Sequence, residues 1–151
     1  MKKVNLLLCL FICLLSPIWM QASSLEQLSP PSLVQPSPHR IIFQLTTDDT
    51  LAHKALMKQL TNIKINAPDA SVEVVCHGPG VYMMVEAKST VKAKIKELSD
   101  KGIRFVVCEF TLKDRNIDKS AIVKEAGFVK SGILEIVSKQ EEGWSYLKAG
   151  F

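Results

Sequence analysis

From Arg40 onward, short apolar runs alternate with segments of helical periodicity, and this alternation limits the folds open to the chain. The apolar runs predict four strands: IIFQL (41–45), VEVVC (72–76), RFVVC (104–108) and a weaker FVKS (128–131). Strands separated by helices favour a parallel sheet covered on both faces. We therefore predict a small three-layer α/β sandwich. Its sheet is mainly parallel, with four or five strands in the flavodoxin-like order 2-1-3-4.

Three helices are predicted between these strands. TTDDT (46–50) offers side-chain oxygens that cap the first helix, and the apolar face of that helix consists of Ala52, Leu56, Leu60 and Ile63. A second helix follows Ser89 and ends at Gly102. A short third helix is expected over residues 119–125.

The last segment can be interpreted in two ways. GILEIV resembles a strand, yet apolar residues recur at helical spacing from Ile133 to Leu147. We predict a helix there despite Gly143. The aromatic residues near the chain end have two possible roles, core packing or a subunit contact, and they are Trp144, Tyr146 and Phe151.

The first 39 residues differ in composition from the rest. Lys2 and Lys3 precede an apolar run over 6–15, and small residues follow at Ala22 and Ser23, which predicts a cleaved signal peptide over 1–22. A membrane anchor would need about 20 apolar residues, and the run is half that length. Residues 23–39 are rich in Ser and Pro and predict an extended linker. The folded domain is then 40–151, periplasmic or secreted, with no membrane attachment after cleavage.

Charge and motifs exclude several function classes. Removing Lys2 and Lys3 from the 19 basic residues leaves 17 against 15 acidic ones, so no basic stripe for nucleic acid is expected. The chain has no dinucleotide fingerprint, P-loop, G-x-S-x-G or C-x-x-C motif. We expect no cofactor.

Parallel α/β sheets bind ligands beyond the carboxyl ends of their strands. The candidate site residues predicted at that edge are Thr46, Asp48, Cys76, His77, Gly78, Gly80, Cys108 and Glu109. The Gly-Pro-Gly turn at 78–80 either reverses the chain or lets a ligand approach the backbone closely.

The two cysteines of the domain leave several alternatives open. Cys108 is either a small core residue or a reactive thiol at the start of a helix, with Glu109 opposing its ionisation. With strand 41–45 between the other two strands, Cys76 and Cys108 would be roughly 9–10 Å apart. A disulfide needs about 7 Å or less, so extended loops would have to close the gap. Cys76 and His77 could bind a soft metal, but His53 is the only candidate third ligand near that pair, and we expect no metal site. Copper or zinc capture by Cys76, His77 and Cys108 stays open as a third interpretation.

Four segments together resemble exported members of the DsrE/DsrF-like family of sulfur-relay proteins. In chain order they are RIIFQLT (40–46), VEVVCHGPG (72–80), KGIRFVVCEFTLKD (101–114) and VKSGILEIVSKQEEGWSYLKAGF (129–151). The resemblance implies a compact α/β fold assembled into homotrimers or hexamers. For cytosolic relay members it implies a cysteine after the third strand that carries a persulfide. Cys108 matches that cysteine and His77 the family's H-G-P-G turn, while Phe110 stands where the family often has Asn.

These observations give two hypotheses. The first is an exported thiol protein that binds or carries sulfur through Cys108, with Cys76 and His77 lining the same pocket and a sulfur donor or acceptor protein as partner. It leaves open whether the chain is a sulfurtransferase-like enzyme. The alternative is a non-catalytic oligomeric module that holds a small ligand with the loops 46–49 and 78–80.

Overall fold

A computed structural model describes residues 38–150. The predicted signal peptide (1–22) and most of the predicted linker (23–39) lie outside the described residues. Within them the strands are β1 (Arg40–Leu45), β2 (Ser71–Cys76), β3 (Ile103–Cys108), β4 (Ala126–Val129) and β5 (Ser145–Ala149). The helices are α1 (Thr50–Asn66), α2 (Lys92–Asp100), α3 (Glu109–Asp114) and α4 (Gly132–Glu141), with 3₁₀ segments at Gly78–Met84 and Lys119–Ala121.

The five strands form one parallel sheet in the order β4-β3-β2-β1-β5. This confirms the predicted α/β class, but the predicted flavodoxin-like order 2-1-3-4 is wrong. β2 pairs directly with β3, and β5 takes the place beside β1 that the prediction gave to β3. Right-handed crossovers permit both orders, so handedness alone did not decide between them.

The crossovers distribute the helices unequally over the two faces. The chain moves in one direction from β1 to β4, which places α1, α2 and α3 on one face, and the return to β5 places α4 on the other. The first face carries the large core, which includes Leu56, Leu98, Phe105 and Leu112. The α4 face has a small core, made of Ile42, Val75, Val106 and Ile136. Of the described helices, none is long and apolar enough to cross a membrane.

The segment after β4 corrects the prediction of a helix from Ile133 to Leu147. α4 ends at Glu141, and Gly143 adopts a positive φ of 84°. A glycine in this conformation terminates a helix, and the chain then pairs with β1 as strand β5. Trp144 packs against the small core on the α4 face, whereas Leu147 lies beside Phe43 and Ile63 on the α1 face. The helical spacing of these two residues therefore does not reflect one helix face.

The region after β3 also differs from the prediction. No α-helix covers 119–125, where the structure has only the 3₁₀ turn Lys119–Ala121. Instead α3 begins at Glu109, directly after β3, with Cys108 as its N-cap residue. The sheet edge therefore carries a helix start immediately beside a cysteine.

Candidate functional site

Cys108 is the last residue of β3 and lies at the carboxyl edge of the sheet. Its side chain faces α4, and the residue is 5% exposed. The sulfur is 3.9 Å from the carbonyl oxygen of Lys130, to which the thiol can donate. The thiol is thus largely covered in the folded domain.

Hydrogen bonds offset the effect of burial on this thiol. Burial raises the pKa of Cys108, whereas the side chain of Thr111 and the backbone amides of Gly132, Thr111 and Phe110 lower it, and the net pKa is below its ordinary value. Phe110 and Thr111 belong to the first turn of α3, and Gly132 is the first residue of α4. The amino-terminal ends of two helices therefore stabilise a thiolate at the same sulfur.

Gly132 packs against the end of the sheet with little space for a side chain. A Cβ on Gly132 would stand 3.1 Å from Val75 Cγ1, 3.2 Å from His77 Cβ and 3.3 Å from Cys108 Cβ. The absence of a side chain lets α4 begin against the end of the sheet. Sequence reasoning missed Gly132 and Thr111 as site residues. For Gly132 the only local signal was its position directly after Ser131, the N-cap residue of α4.

His77 lies beside Cys108 and belongs to a polar row across the sheet edge. Its Nε2 is 2.8 Å from Nε2 of Gln44, and since an amide nitrogen only donates, the imidazole nitrogen accepts and carries no proton. The hydroxyl of Tyr146 in turn donates to Oε1 of Gln44. Burial lowers the pKa of His77. The row therefore holds a neutral histidine near the thiol.

Cys76 does not join this site, which corrects the expectation that it lines the same pocket. Cys76 is opposite Val107 in the sheet, so Cys108 is offset by one residue and faces the other side. Cys76 is fully buried in the large core, and burial raises its pKa to about 12. Both cysteines are free, and opposite faces prevent them from forming a disulfide or sharing a metal ion. The described residues contain no cluster of three potential metal ligands.

The Gly-Pro-Gly segment shapes the site through backbone contacts. Gly78 adopts φ 54°, and its amide donates to Oγ1 of Thr111 at 3.1 Å. A Cβ on Gly80 would be 2.2 Å from the carbonyl oxygen of Leu45. The second glycine is thus packed against the end of β1, and its backbone is not open to a ligand.

Asp48 lies away from the thiol. Asp48 is exposed and lines a small cleft of about 160 Å³ together with Thr50, His53, Tyr82 and Lys88. His53 is buried, and its Nε2 is 2.9 Å from the carbonyl oxygen of Thr47. This cleft lies at α1, the helix that covers the opposite face of the sheet from Cys108, so the two do not form one site.

A larger cleft lies next to Cys108. It has a volume of about 340 Å³ and is lined by Glu109, Phe110, Lys113 and Lys130. Phe110 is 61% exposed there. The carboxylate of Glu109 is 2.5 Å from Nζ of Lys119, which neutralises its charge.

With the fold and the position of Cys108 described, the chain can be compared with known families. The model of the DsrE/DsrF-like family matches residues 39–149. The chain belongs to the DsrE/DsrF-like family. This family is associated with sulfur relay. No curated protein matches the sequence significantly.

Solved structures give the same fold. A protein of unknown function, MTH1491 from Methanobacterium thermoautotrophicum, is 28% identical, with a TM-score of 0.70 over 73% of this chain and 98% of its own. The conserved protein BT1422 from Bacteroides thetaiotaomicron, of unknown function, is 17% identical, with a TM-score of 0.59 over 72% and 93%. The ychN protein from E. coli is 7% identical, with a TM-score of 0.60 over 76% and 100%. The last two likenesses concern the fold alone.

Proposed function

We propose that this DsrE/DsrF-like protein is an exported sulfur carrier that holds sulfane sulfur as a persulfide on Cys108. The observation that carries the proposal is the position of Cys108, which is the N-cap residue of α3 and lies against Gly132 at the start of α4; the groups there lower its pKa. The thiolate is the nucleophilic form of cysteine, and the lowered pKa favours it.

The chemical step needs only the thiolate and a sulfane donor. The Cys108 thiolate attacks a sulfur atom of the donor, a new S–S bond forms at Sγ, and the donor's S–S bond breaks. The electron pair of the broken bond leaves with the rest of the donor. The persulfide anion keeps the negative charge, so the same amides that stabilise the thiolate stabilise the product.

Export is part of the proposal, and it is supported by the signal-peptide pattern of residues 1–22. The carrier would act in the periplasm or outside the cell, receiving sulfur from a donor protein or small donor and passing it to an acceptor.

Self-association is the second part of the proposal. α4 leaves three apolar side chains uncovered, with exposures of 52%, 65% and 42% for Ile133, Leu134 and Val137. Exposed apolar side chains grouped on one helix are typical of contact surfaces between subunits. Sedimentation velocity tests this part: Ile133→Glu should lower the mass of the assembly, whereas Leu51→Glu, an equally exposed position on α1, should not.

Intact-mass measurement after treatment with polysulfide tests the carrier function. The wild-type protein and Cys76→Ala should each gain about 32 Da, the mass of one sulfur atom, while Cys108→Ser should gain none. Cys76→Ala is the matched control because it removes the other thiol of the domain from the opposite face. Equal gains in the wild type and Cys108→Ser, or no gain in either, would reject the function.

A further inference from the structure

The cleft beside Cys108 has an excess of positive charge. Four residues line it, and its one carboxylate, Glu109, is paired with Lys119. Lys113 and Lys130 lie within ion-pairing distance of no carboxylate in residues 38–150. Two uncompensated ammonium groups therefore line this cleft, and one of them belongs to Lys130, whose carbonyl oxygen is 3.9 Å from the Cys108 sulfur. Such a cleft concentrates small anions.

The approach to the sulfur restricts the shape of the donor. Cys108 is only 5% exposed, so the atom that reacts must be terminal and narrow. The rest of the donor would occupy the cleft of about 340 Å³ beside Phe110. A compact donor with a terminal sulfur and a charged group at its other end fits both constraints.

We propose that the cleft formed by Glu109, Phe110, Lys113 and Lys130 selects a small anionic sulfur donor in which a terminal sulfane sulfur is bonded to a sulfonate group, as in thiosulfate. This inference rests on the proposed function of Cys108 and assigns its substrate class. Lys113 and Lys130 are the residues that determine specificity.

The reaction balances without an external oxidant or reductant. The Cys108 thiolate attacks the terminal sulfur of thiosulfate, and an S–S bond forms at Sγ. The bond between that sulfur and the sulfonate sulfur breaks, and its electron pair leaves with sulfite. Sulfite carries two negative charges, so the same two lysines stabilise the leaving group as it separates.

Single-turnover kinetics with thiosulfate test the assignment. Sulfite release and the persulfide mass are followed for the wild type and for Lys113→Gln/Lys130→Gln, with Lys124→Gln as control. Lys124 is exposed and lines a different cleft beside α2. We expect the double substitution to lower the second-order rate about tenfold or more and to remove most of its dependence on salt, since surface charges are screened by salt. Lys124→Gln should change neither.

A pair of thiol reagents separates charge selection from general reactivity. The anionic reagent is 2-sulfonatoethyl methanethiosulfonate, and the neutral one is methyl methanethiosulfonate. In the wild type the anionic reagent should modify Cys108 faster, and the double substitution should lower the anionic-to-neutral rate ratio about fivefold or more. A change in the exposure of Cys108 or in its thiolate fraction would alter both rates by a similar factor and leave their ratio unchanged, and an unchanged ratio would overturn the assignment of the two lysines.

The outcomes also separate the substrate class from the carrier function. Persulfide formation on Cys108 with a neutral organic trisulfide, but not with thiosulfate, would overturn the substrate class and leave the carrier function standing. Absence of any sulfur uptake at Cys108 from both donors would reject both. Sulfite release from thiosulfate by the wild type, lost in Cys108→Ser and slowed in the double-lysine variant, is the result that supports the proposal.

Discussion

Gly132 contacts Cys108 across the boundary between α4 and β3, and a Cβ at Gly132 would stand 3.3 Å from the Cβ of the cysteine. The same glycine provides one of the backbone amides that lower the pKa of Cys108. The position of α4 over the sheet and the ionisation of the thiol are therefore coupled through a single residue without a side chain.

Gly132→Ala should raise the pKa of Cys108. The added methyl group must displace α4 from Val75, His77 and Cys108, and this movement weakens the hydrogen bond from the Gly132 amide. The pH dependence of alkylation by iodoacetamide should shift upward by about half a unit to one unit. Gly127→Ala is the matched control because its Cβ would meet Val106 Cγ1 at an ordinary 3.5 Å. An unchanged alkylation profile in Gly132→Ala would contradict the coupling.

Thr111→Val should have a similar effect through the side chain. The Thr111 hydroxyl hydrogen-bonds to Cys108 and accepts the Gly78 amide, and valine keeps the shape but removes both interactions. We expect the pKa of Cys108 to rise by about half a unit or more, measured as the thiolate absorbance near 240 nm against pH. Thr111→Ser keeps the hydroxyl and should retain the wild-type profile. A shift of equal size in both variants would point to a packing defect.

β1, β2 and β3 could be predicted from the sequence because each is a short apolar run bounded by turn residues. The location of Cys108 at the carboxyl edge followed from its place at the end of such a run. The face that each cysteine takes could not be predicted, because it depends on the pairing of Cys76 with Val107 between strands far apart in sequence. Likewise, no local pattern shows that Gly132 reaches Cys108 or that Gln44 reaches His77.

β5 shows a second limit of local patterns. Its apolar residues fit a helical period that began in α4, and only the positive φ of Gly143 separates the two elements. Pairing with β1 satisfies the backbone of Ser145–Ala149 and decides the outcome. Tertiary context thus overrides the local period.

Glu73 should make the protein less stable as pH rises from 4.5 to about 7. The residue is 0% exposed under α4, and burial raises its pKa to about 7. Nearby Glu135 also raises this pKa, whereas Arg104 and Lys139 lower it. Nη1 of Arg104 lies 2.9 Å from Oε2 but is not aligned for a hydrogen bond, so neither carboxylate oxygen has one. Between pH 4.5 and 7 the folded state keeps a proton that the unfolded state has lost. The free energy of unfolding therefore falls across this window, and the penalty is complete above it.

Glu73→Gln should remove this penalty. Urea unfolding should show the variant more stable than the wild type by about 1–3 kcal/mol at pH 8, with the difference disappearing as pH falls toward 4.5. Glu141→Gln, at an exposed glutamate on α4, should show no such dependence. A difference between Glu73→Gln and the wild type that is constant with pH would exclude titration of Glu73 as the cause.

Tyr146→Phe should raise the pKa of His77. In the wild type the Tyr146 hydroxyl donates to Oε1 of Gln44, which orients the amide so that its nitrogen donates to Nε2 of His77 and favours the neutral ring. Without the hydroxyl, the amide is free to turn and to offer its oxygen to a protonated imidazole, which favours the charged form. NMR titration of the His77 ring should place the wild-type pKa below its ordinary value, as burial requires, and the variant higher. Tyr82→Phe is the control, because Tyr82 packs against the large core on the opposite face of the sheet. It should leave the His77 titration unchanged. An equal shift in both variants would contradict the orienting role of Tyr146.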